Sequence, residues 1–246
     1  MDTKTGVGLV SVVIPAHNEE GSILEVYRQT AAVLSSLELC YEIIFVDDAS
    51  TDETAAILKK IEAQDGHIRI LRFAKNRGQS YAFLAGFRAA RGDIIITMDA
   101  DLQNDPADIK QLLAQIGEGA DFVNGWRHDR KDSIFRKTVS GLENLLIAAR
   151  TGVKLRDYGC ALTAARKEVI AKVLACGSSS RFIKPLAAVL TDSVCEVAVS
   201  HSKRSSGRSK YGFFNIARAG ADFLINFRLS SIKDKKDCAV KEVDRA

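Results

Sequence analysis

The run Ile94-Ile95-Ile96-Thr97-Met98-Asp99-Ala100-Asp101-Leu102-Gln103 decides how the rest of the chain is read. Its unbroken apolar, β-branched start fits a strand buried on both faces, as in a parallel sheet covered by helices. Its end delivers two carboxylates and an amide oxygen, hard donors of the kind that Mg²⁺ and Mn²⁺ favour. On an ideal strand Asp99 and Asp101, two apart, share a face. In open α/β sheets ligands gather outside the carboxyl ends of the strands, so the same ten residues indicate where a site should lie.

Working outward, residues 9–15, 42–47 and 68–73 repeat the apolar pattern, and 21–37, 51–63 and 79–90 carry helical spacing between them. This strand–helix alternation predicts an α/β fold with a mostly parallel, Rossmann-like central sheet flanked by helices. Asp105-Pro106 reads as a helix N-cap followed by proline at the first helical position, opening a helix to about residue 116. A strand is expected over 120–126, a helix over 133–150, strands over 160–164 and 195–200, and a helix from about Lys167. Residues 201–210 form a basic Ser/Gly loop, and 211–229 are rich in Phe, Leu and Ile. Residues 1–229 read as one domain and the charged remainder, 230–246, as a disordered tail.

The chain has 246 residues, 46% hydrophobic and 27% charged, an ordinary globular composition. Residues 1–125 carry 11 Lys/Arg against 19 Asp/Glu, net −8, and residues 126–246 carry 24 against 12, net +12. An acidic half that holds a metal and a basic half that meets anions is one reading; uneven solvation of two surfaces is the other. The five cysteines are scattered without C-x-x-C spacing, which excludes a zinc ribbon or a disulfide framework and fits a reducing cytosol. No apolar run reaches the ~18–20 residues of a spanning helix, and 9–15 is too short for a signal peptide. Nucleic-acid binding is not indicated, because the basic residues are not interleaved with stacking aromatics.

Candidate ligand positions follow the first three strand ends. They are Pro15, Ala16, Asn18 and Glu19; then Asp47 and Asp48; then Asn76 and Gly78. Carboxylates at these places suit ribose hydroxyls or a base N–H, and a helix N-terminus after Gly78 suits an anion. Plainer roles are also open: a capping box from Ser50 to Glu53, and Glu19 and Glu20 complementing a helix dipole. The fingerprints G-x-G-x-x-G and G-x-x-x-x-G-K-[ST] are absent, which excludes a dinucleotide fold or a P-loop.

The motif order P-A-x-N-E, V-D-D-x-S-x-D-x-T, N-x-G-x-x-x-A-x-x-x-G and G-D-x-x-x-x-x-D-A-D-L-Q-x-x-P resembles the inverting family 2 glycosyltransferases of GT-A fold. The likeness is greatest to the polyprenyl-phosphate branch, which includes dolichol-phosphate mannose synthase and bacterial undecaprenyl-phosphate sugar transferases. It covers about residues 8–229. Gly125-Trp126-Arg127 matches the family's G-x-R, and Arg136 with Ser140 its R-x-x-x-S. Asp157-Tyr158-Gly159-Cys160 matches its Asp before small residues, and residues 201–211 its H-x-x-R-x-x-G-x-S-K-Y loop. Trp126 departs from the pattern, since small residues are common there.

The resemblance implies transfer of a sugar from a UDP- or GDP-linked donor to a polyprenyl monophosphate. Asp99, Asp101 and Gln103 would hold Mg²⁺ or Mn²⁺; Asp99, Ala100, Arg204 and Lys210 would join the donor site. Asp101, Arg127, Arg136, Ser140 and Arg204 would be the catalytic set, with Arg127, Arg136 and Ser140 on the lipid phosphate. A phosphate monoester is already anionic near neutral pH, so positioning and electrostatics suffice without a general base. Lacking spanning helices, the chain would be cytoplasmic and peripheral, with 212–229 as an interfacial helix and a membrane-anchored partner or homo-oligomer in support. Two alternatives stand beside this: transfer to a glycan hydroxyl with Asp157 as base, and a non-catalytic nucleotide-sugar-binding subunit.

Overall fold

A computed structural model describes residues 8–128, 134–177, 182–202 and 239–243, with the backbone alone for 134–140, 142–143 and 239–243. The first half alternates strands β1 (Val10–Ala16), β2 (Tyr41–Asp47), β3 (Ile68–Arg72) and β4 (Ile94–Thr97) with helices α1 (Ile23–Ser36), α2 (Thr54–Gln64) and α3 (Gln79–Ala89). A 3₁₀ turn (Pro106–Asp108) leads into α4 (Ile109–Gly117), β5 (Phe122–Arg127) and α5 (Ile134–Thr151). β6 (Thr163–Arg166), α6 (Lys167–Ala175), α7 (Ile183–Val189), β7 (Ser193–Val199) and β8 (Ala239–Val243) follow.

These strands form one sheet in the order β3-β2-β1-β4-β6-β5-β7-β8. Only β6 runs against its neighbours β4 and β5. The carboxyl ends of β1, β2, β3, β4, β5 and β7 therefore emerge along one edge, together with the loop that enters β6. Alternate residues feed two cores, as a strand buried on both faces requires. Val12, Ile14, Ile43 and Phe45 pack beneath α1, α2 and α4. Val13, Ile44 and Val46 pack against α3, α5, α6 and α7. Close approach of α3 to the sheet depends on Gly86, where a Cβ would lie 2.2 Å from Val13 Cγ1.

The expected mostly parallel sheet with helices on both faces is present, and no described helix is long and apolar enough to cross a membrane. Three details differ from the sequence reading. β4 stops at Thr97, so Asp99 and Asp101 stand on a loop rather than on one strand face. The strand expected at 160–164 starts at Thr163: the Gly125 N–H still reaches the Leu162 carbonyl, but the Cys160 carbonyl is taken by Lys184 instead of a neighbouring strand. Within the tail, Ala239–Val243 pairs parallel to β7, the short Ala-Val-Lys-Glu-Val pattern being masked by the charge around it.

Candidate active site

The strand-end loops are cross-braced before any ligand is considered. The Asn18 N–H donates to Ser50 Oγ (3.0 Å), the Glu19 N–H to Thr54 Oγ1 (2.8 Å) and the Glu20 N–H to Asp52 Oδ2 (3.2 Å). In return, Thr51 N–H donates to Asn18 Oδ1 and Glu53 N–H to Glu20 Oε2. The capping box is thus not formed: Ser50 holds the first loop, and Asp52 accepts from the Thr54 N–H at the start of α2. Asn18, Ala49 and Leu102 have positive φ (56°, 58° and 61°), and all three lie on this edge. Left-handed non-glycine residues cost about 1 kcal/mol or more each and concentrate where surrounding structure imposes them for function.

Asp47 and Asp48 are buried and face inward. Asp47 pairs with Arg72 Nε at 3.0 Å and accepts from the Ser50 N–H. Both oxygens of Asp48 accept from backbone, the Arg77 N–H at 2.7 Å and the Gly78 N–H at 2.8 Å. The anion expected at the N-terminus of α3 is therefore supplied by the protein itself. Gly78, at φ 91°, permits the turn that aims those donors. Beside these residues a cleft of about 560 Å³ is lined by Ala49, Ser50, Thr51, Arg72, Phe73 and Ala74, within the size range of small-molecule sites. Pro15 and Ala16, the buried last residues of β1, form its neighbouring strand end, and Asn76 is exposed on the β3–α3 loop.

After β4 the chain turns through Leu102, and the Gln103 N–H donates back to Asp101 Oδ1 (3.1 Å). Asp101 is only 4% exposed, whereas Asp99 is half-buried. Gln79, the first residue of α3, donates to Asp99 Oδ1 at 2.5 Å. The loop is pinned to β7 by an isolated bridge between Asn104 and His201 and by the Ser202 N–H on the Gln103 carbonyl (3.0 Å). Ala100 is buried within it. Among the described residues no three His, Cys, Asp or Glu side chains converge as a ready-made cage. Two carboxylates and an amide oxygen do suit Mg²⁺ or Mn²⁺, which are commonly held by one or two carboxylates together with substrate phosphates.

On the other side of the same edge, Arg127 meets Asp157 as a two-pronged pair, Nε–Oδ2 2.6 Å and Nη2–Oδ1 2.9 Å. The Gly159 N–H also donates to Asp157 Oδ1 (2.9 Å), so both oxygens of this buried carboxylate are engaged. That arrangement opposes Asp157 as a general base. Trp126 fills the family's small-residue position and carries the Arg156 guanidinium 4.6 Å from its ring centre. Arg136 and Ser140 fall four apart on α5, hence on one helical face. Their side chains, together with Arg204, Lys210 and residues 212–229, lie outside the described residues.

Sequence reasoning missed three residues of this edge. Gln79 sits at a helix start where it looked like ordinary helical filler. Asp108 accepts from the Ser200 N–H at 2.6 Å and so fixes the exit of β7. Lys184 donates to the carbonyls of Tyr158 and Cys160, and Ile183-Lys184-Pro185 carried no motif to announce it. Burial pushes the Tyr158 hydroxyl up to about 12 and the Cys160 thiol up to about 11, which makes both unreactive near neutrality.

Comparison with known proteins agrees with the fold that carries this edge. Residues 11–174 match the family model "Glycosyl transferase family 2". An undecaprenyl-phosphate 4-deoxy-4-formamido-L-arabinose transferase of Shewanella sediminis is 40% identical over 95% of this chain and 71% of the relative. Proteins of the same name from Pseudomonas paraeruginosa and Klebsiella pneumoniae are each 43% identical, over 89% and 91% of this chain. The chain spans 65%, 69% and 71% of the length of these three relatives. Among solved structures, glucosyl-3-phosphoglycerate synthase of Mycobacterium tuberculosis, in complex with Mn²⁺, UDP and glucosyl-3-phosphoglycerate, superposes with TM-score 0.64 at 21% identity. The match covers 91% of this chain and 80% of that one.

Proposed function

This chain belongs to glycosyl transferase family 2, in its polyprenyl-phosphate branch, and on that premise we propose that it transfers a sugar from a nucleotide sugar to undecaprenyl phosphate or a related polyprenyl monophosphate. The observation that carries the reading is the shared edge. There the Asp99–Gln103 loop, the braced loops after β1 and β2, and the Arg127–Asp157 pair stand side by side.

In this reading the nucleoside occupies the cleft beside Asp47 and Asp48, whose engaged carboxylates shape its wall rather than grip the ligand. Asp99, Asp101 and Gln103 would hold Mg²⁺ or Mn²⁺, and such an ion offsets charge on a leaving diphosphate. Arg136 and Ser140 on α5, with Arg204 and Lys210, receive the phosphates of acceptor and donor, guanidinium being well matched to phosphate oxygens. Arg127 is a positioning residue: Asp157 holds both its guanidinium and its N–H at the end of β5. The lipid phosphate attacks the anomeric carbon in line and inverts it, with no side chain needed to remove a proton. The acceptor's lipid tail requires the edge to meet a bilayer, and residues 212–229 are its proposed contact, peripheral at the cytoplasmic face.

The test is transfer of label to lipid. Protein, Mg²⁺ or Mn²⁺, undecaprenyl phosphate in detergent and a panel of UDP- and GDP-sugars, nucleotide-linked 4-deoxy-4-formamido-L-arabinose among them, are scored for label in the lipid phase. Metal-dependent labelling from one donor is the expected result. Metal-dependent nucleotide-sugar binding with transfer to a glycan hydroxyl instead would overturn the acceptor assignment.

A further inference from the structure

Lys184 is a cation placed inside the edge, on the first turn of α7. Its ammonium donates to the carbonyls of Tyr158 (2.9 Å) and Cys160. That segment lies against the end of β4, because Thr97 Oγ1 donates to the Ala161 carbonyl (2.6 Å) and meets Thr163 Oγ1 (2.7 Å). Thr97 is two residues before Asp99. Lys184 thus sits where the acidic loop after β4 and the Arg127–Asp157 pair come together. An ammonium has three donors, and two are anchored on main-chain carbonyls that cannot move without moving this junction. Burial, the largest influence, lowers its pKa; the carboxylates of Asp157 and Asp99 work against that shift and Arg127 adds to it. Its electrostatic partners therefore come from both sides of the edge.

Resting on the reading of Asp99, Asp101 and Gln103 as the metal loop, we propose that Lys184 is a positioning residue that makes divalent-metal binding conditional on the donor diphosphate. An ammonium tied to the segment that Thr97 holds, just ahead of the acidic loop, opposes a bare divalent cation there and attracts the anionic diphosphate that arrives with it. With only two carboxylates in the loop and no protein cage among the described residues, the ion is held well only when phosphate oxygens complete its shell. The free site then stays weak for metal, and the metal and the nucleotide bind cooperatively.

The test measures Mn²⁺ binding by calorimetry or by loss of the free-ion paramagnetic resonance signal, alone and with saturating UDP or GDP. Wild type, K184M and K184R are compared, with the melting temperature recorded for each. In K184M, Mn²⁺ alone should bind about tenfold tighter, and the Mn²⁺-dependent gain in nucleotide affinity should shrink by a similar factor. K184R, which keeps the charge, should restore the wild-type coupling. Unchanged Mn²⁺ affinity and coupling in folded K184M would overturn the inference and leave Lys184 a purely structural tie. If K184M does not fold, K184R decides: loss of coupling in a folded K184R overturns the charge argument, and retained coupling supports it. Wild-type protein that binds no Mn²⁺ even with UDP or GDP would overturn the metal-loop reading itself, a result distinct from either variant's.

Discussion

At the amino end of the sheet a buried carboxylate is closed off by three donors, whereas at the carboxyl end Asp99, in the loop after β4, is braced but only half-buried. Glu42 is 6% exposed and receives Ser11 Oγ (2.6 Å), Arg69 Nη1 (2.8 Å) and the Arg91 N–H (2.7 Å). Its partners come from β1, β3 and the turn before β4, so it laces those elements together. Asp99 is half-buried, and its neighbours Asp101 and Gln103 form a loop held by Gln79, Asn104 and the Ser202 N–H. The two ends share chemistry but differ in enclosure: Glu42 is buried among its donors, and Asp99 keeps part of its surface open. Buried charge at one end supports stability; at the other it supports a geometry that a metal and diphosphate can complete.

The largest effect expected from breaking the contrast is at Asp101. Asp101→Ala removes a loop donor and should lower turnover by roughly a thousandfold or more, the scale set by loss of a metal-held charge in the transition state. The fold should persist, because β4 and its pairing to β1 end before this residue. Lipid labelling checks the first expectation and a thermal melt the second. Retained turnover would remove the metal loop from the mechanism.

Glu42→Ala should do the reverse: cost about 2–3 kcal/mol in urea unfolding, by stranding Arg69 and the Arg91 N–H, and leave turnover of the folded protein unchanged. The pH dependence sharpens this. Burial alone would raise Glu42, but hydrogen bonds from Ser11, Arg69 and the Arg91 N–H outweigh it and hold its pKa below the usual value. Its stabilisation is therefore present above the unfolded-state pKa of about 4.3 and is lost as pH falls through the lower folded value. Glu196, buried on β7, behaves oppositely: burial raises it, and the bonds from the Arg156 N–H and Asn124 offset only part of that. Protonation of Glu196 thus favours the fold, and its contribution grows as pH drops through its raised pKa towards the unfolded value. Over pH 3–7 the acid decline of the unfolding free energy should become shallower in Glu42→Gln, with Asp52 and Asp65 still contributing to it, and steeper below neutrality in Glu196→Gln.

The first half was largely legible because local signals and tertiary structure agree there. Each parallel strand is predominantly apolar, and each strand end carries its polar group in a fixed order from Pro15 to Gln103. What the sequence did not show is the direction those groups face. Asp47 and Asp48 read as ligand carboxylates, yet Arg72 and the N-terminus of α3 engage them, partners separated by 25 and 30 positions that no local pattern reveals. The second half was less legible for the same reason. The antiparallel insertion of β6 between β4 and β5, and the tie from Lys184 to the segment before it, join residues far apart in sequence. Gln79 and Lys184 acquire their importance only from where the topology places them.

The smallest expected effect tests whether Arg127 acts through its position. A Cβ at Gly159 would lie 2.7 Å from Arg127 Nη2 and 3.2 Å from Asp157 Oδ1. The intruded atom is the far end of a side chain, so Gly159→Ala should shift the guanidinium by a few tenths of an ångström and cost stability no more than about 1 kcal/mol. The pair remains, but the end of β5, the strand that precedes α5 with Arg136 and Ser140, is perturbed. The expected outcome is a few-fold rise in KM for the lipid phosphate, with kcat and the KM for the nucleotide sugar nearly unchanged. A parallel loss in both KM values would mean that the pair supports the whole edge rather than its acceptor side. No kinetic change would place Arg127 and Asp157 with Glu42, as charge enclosed for stability alone.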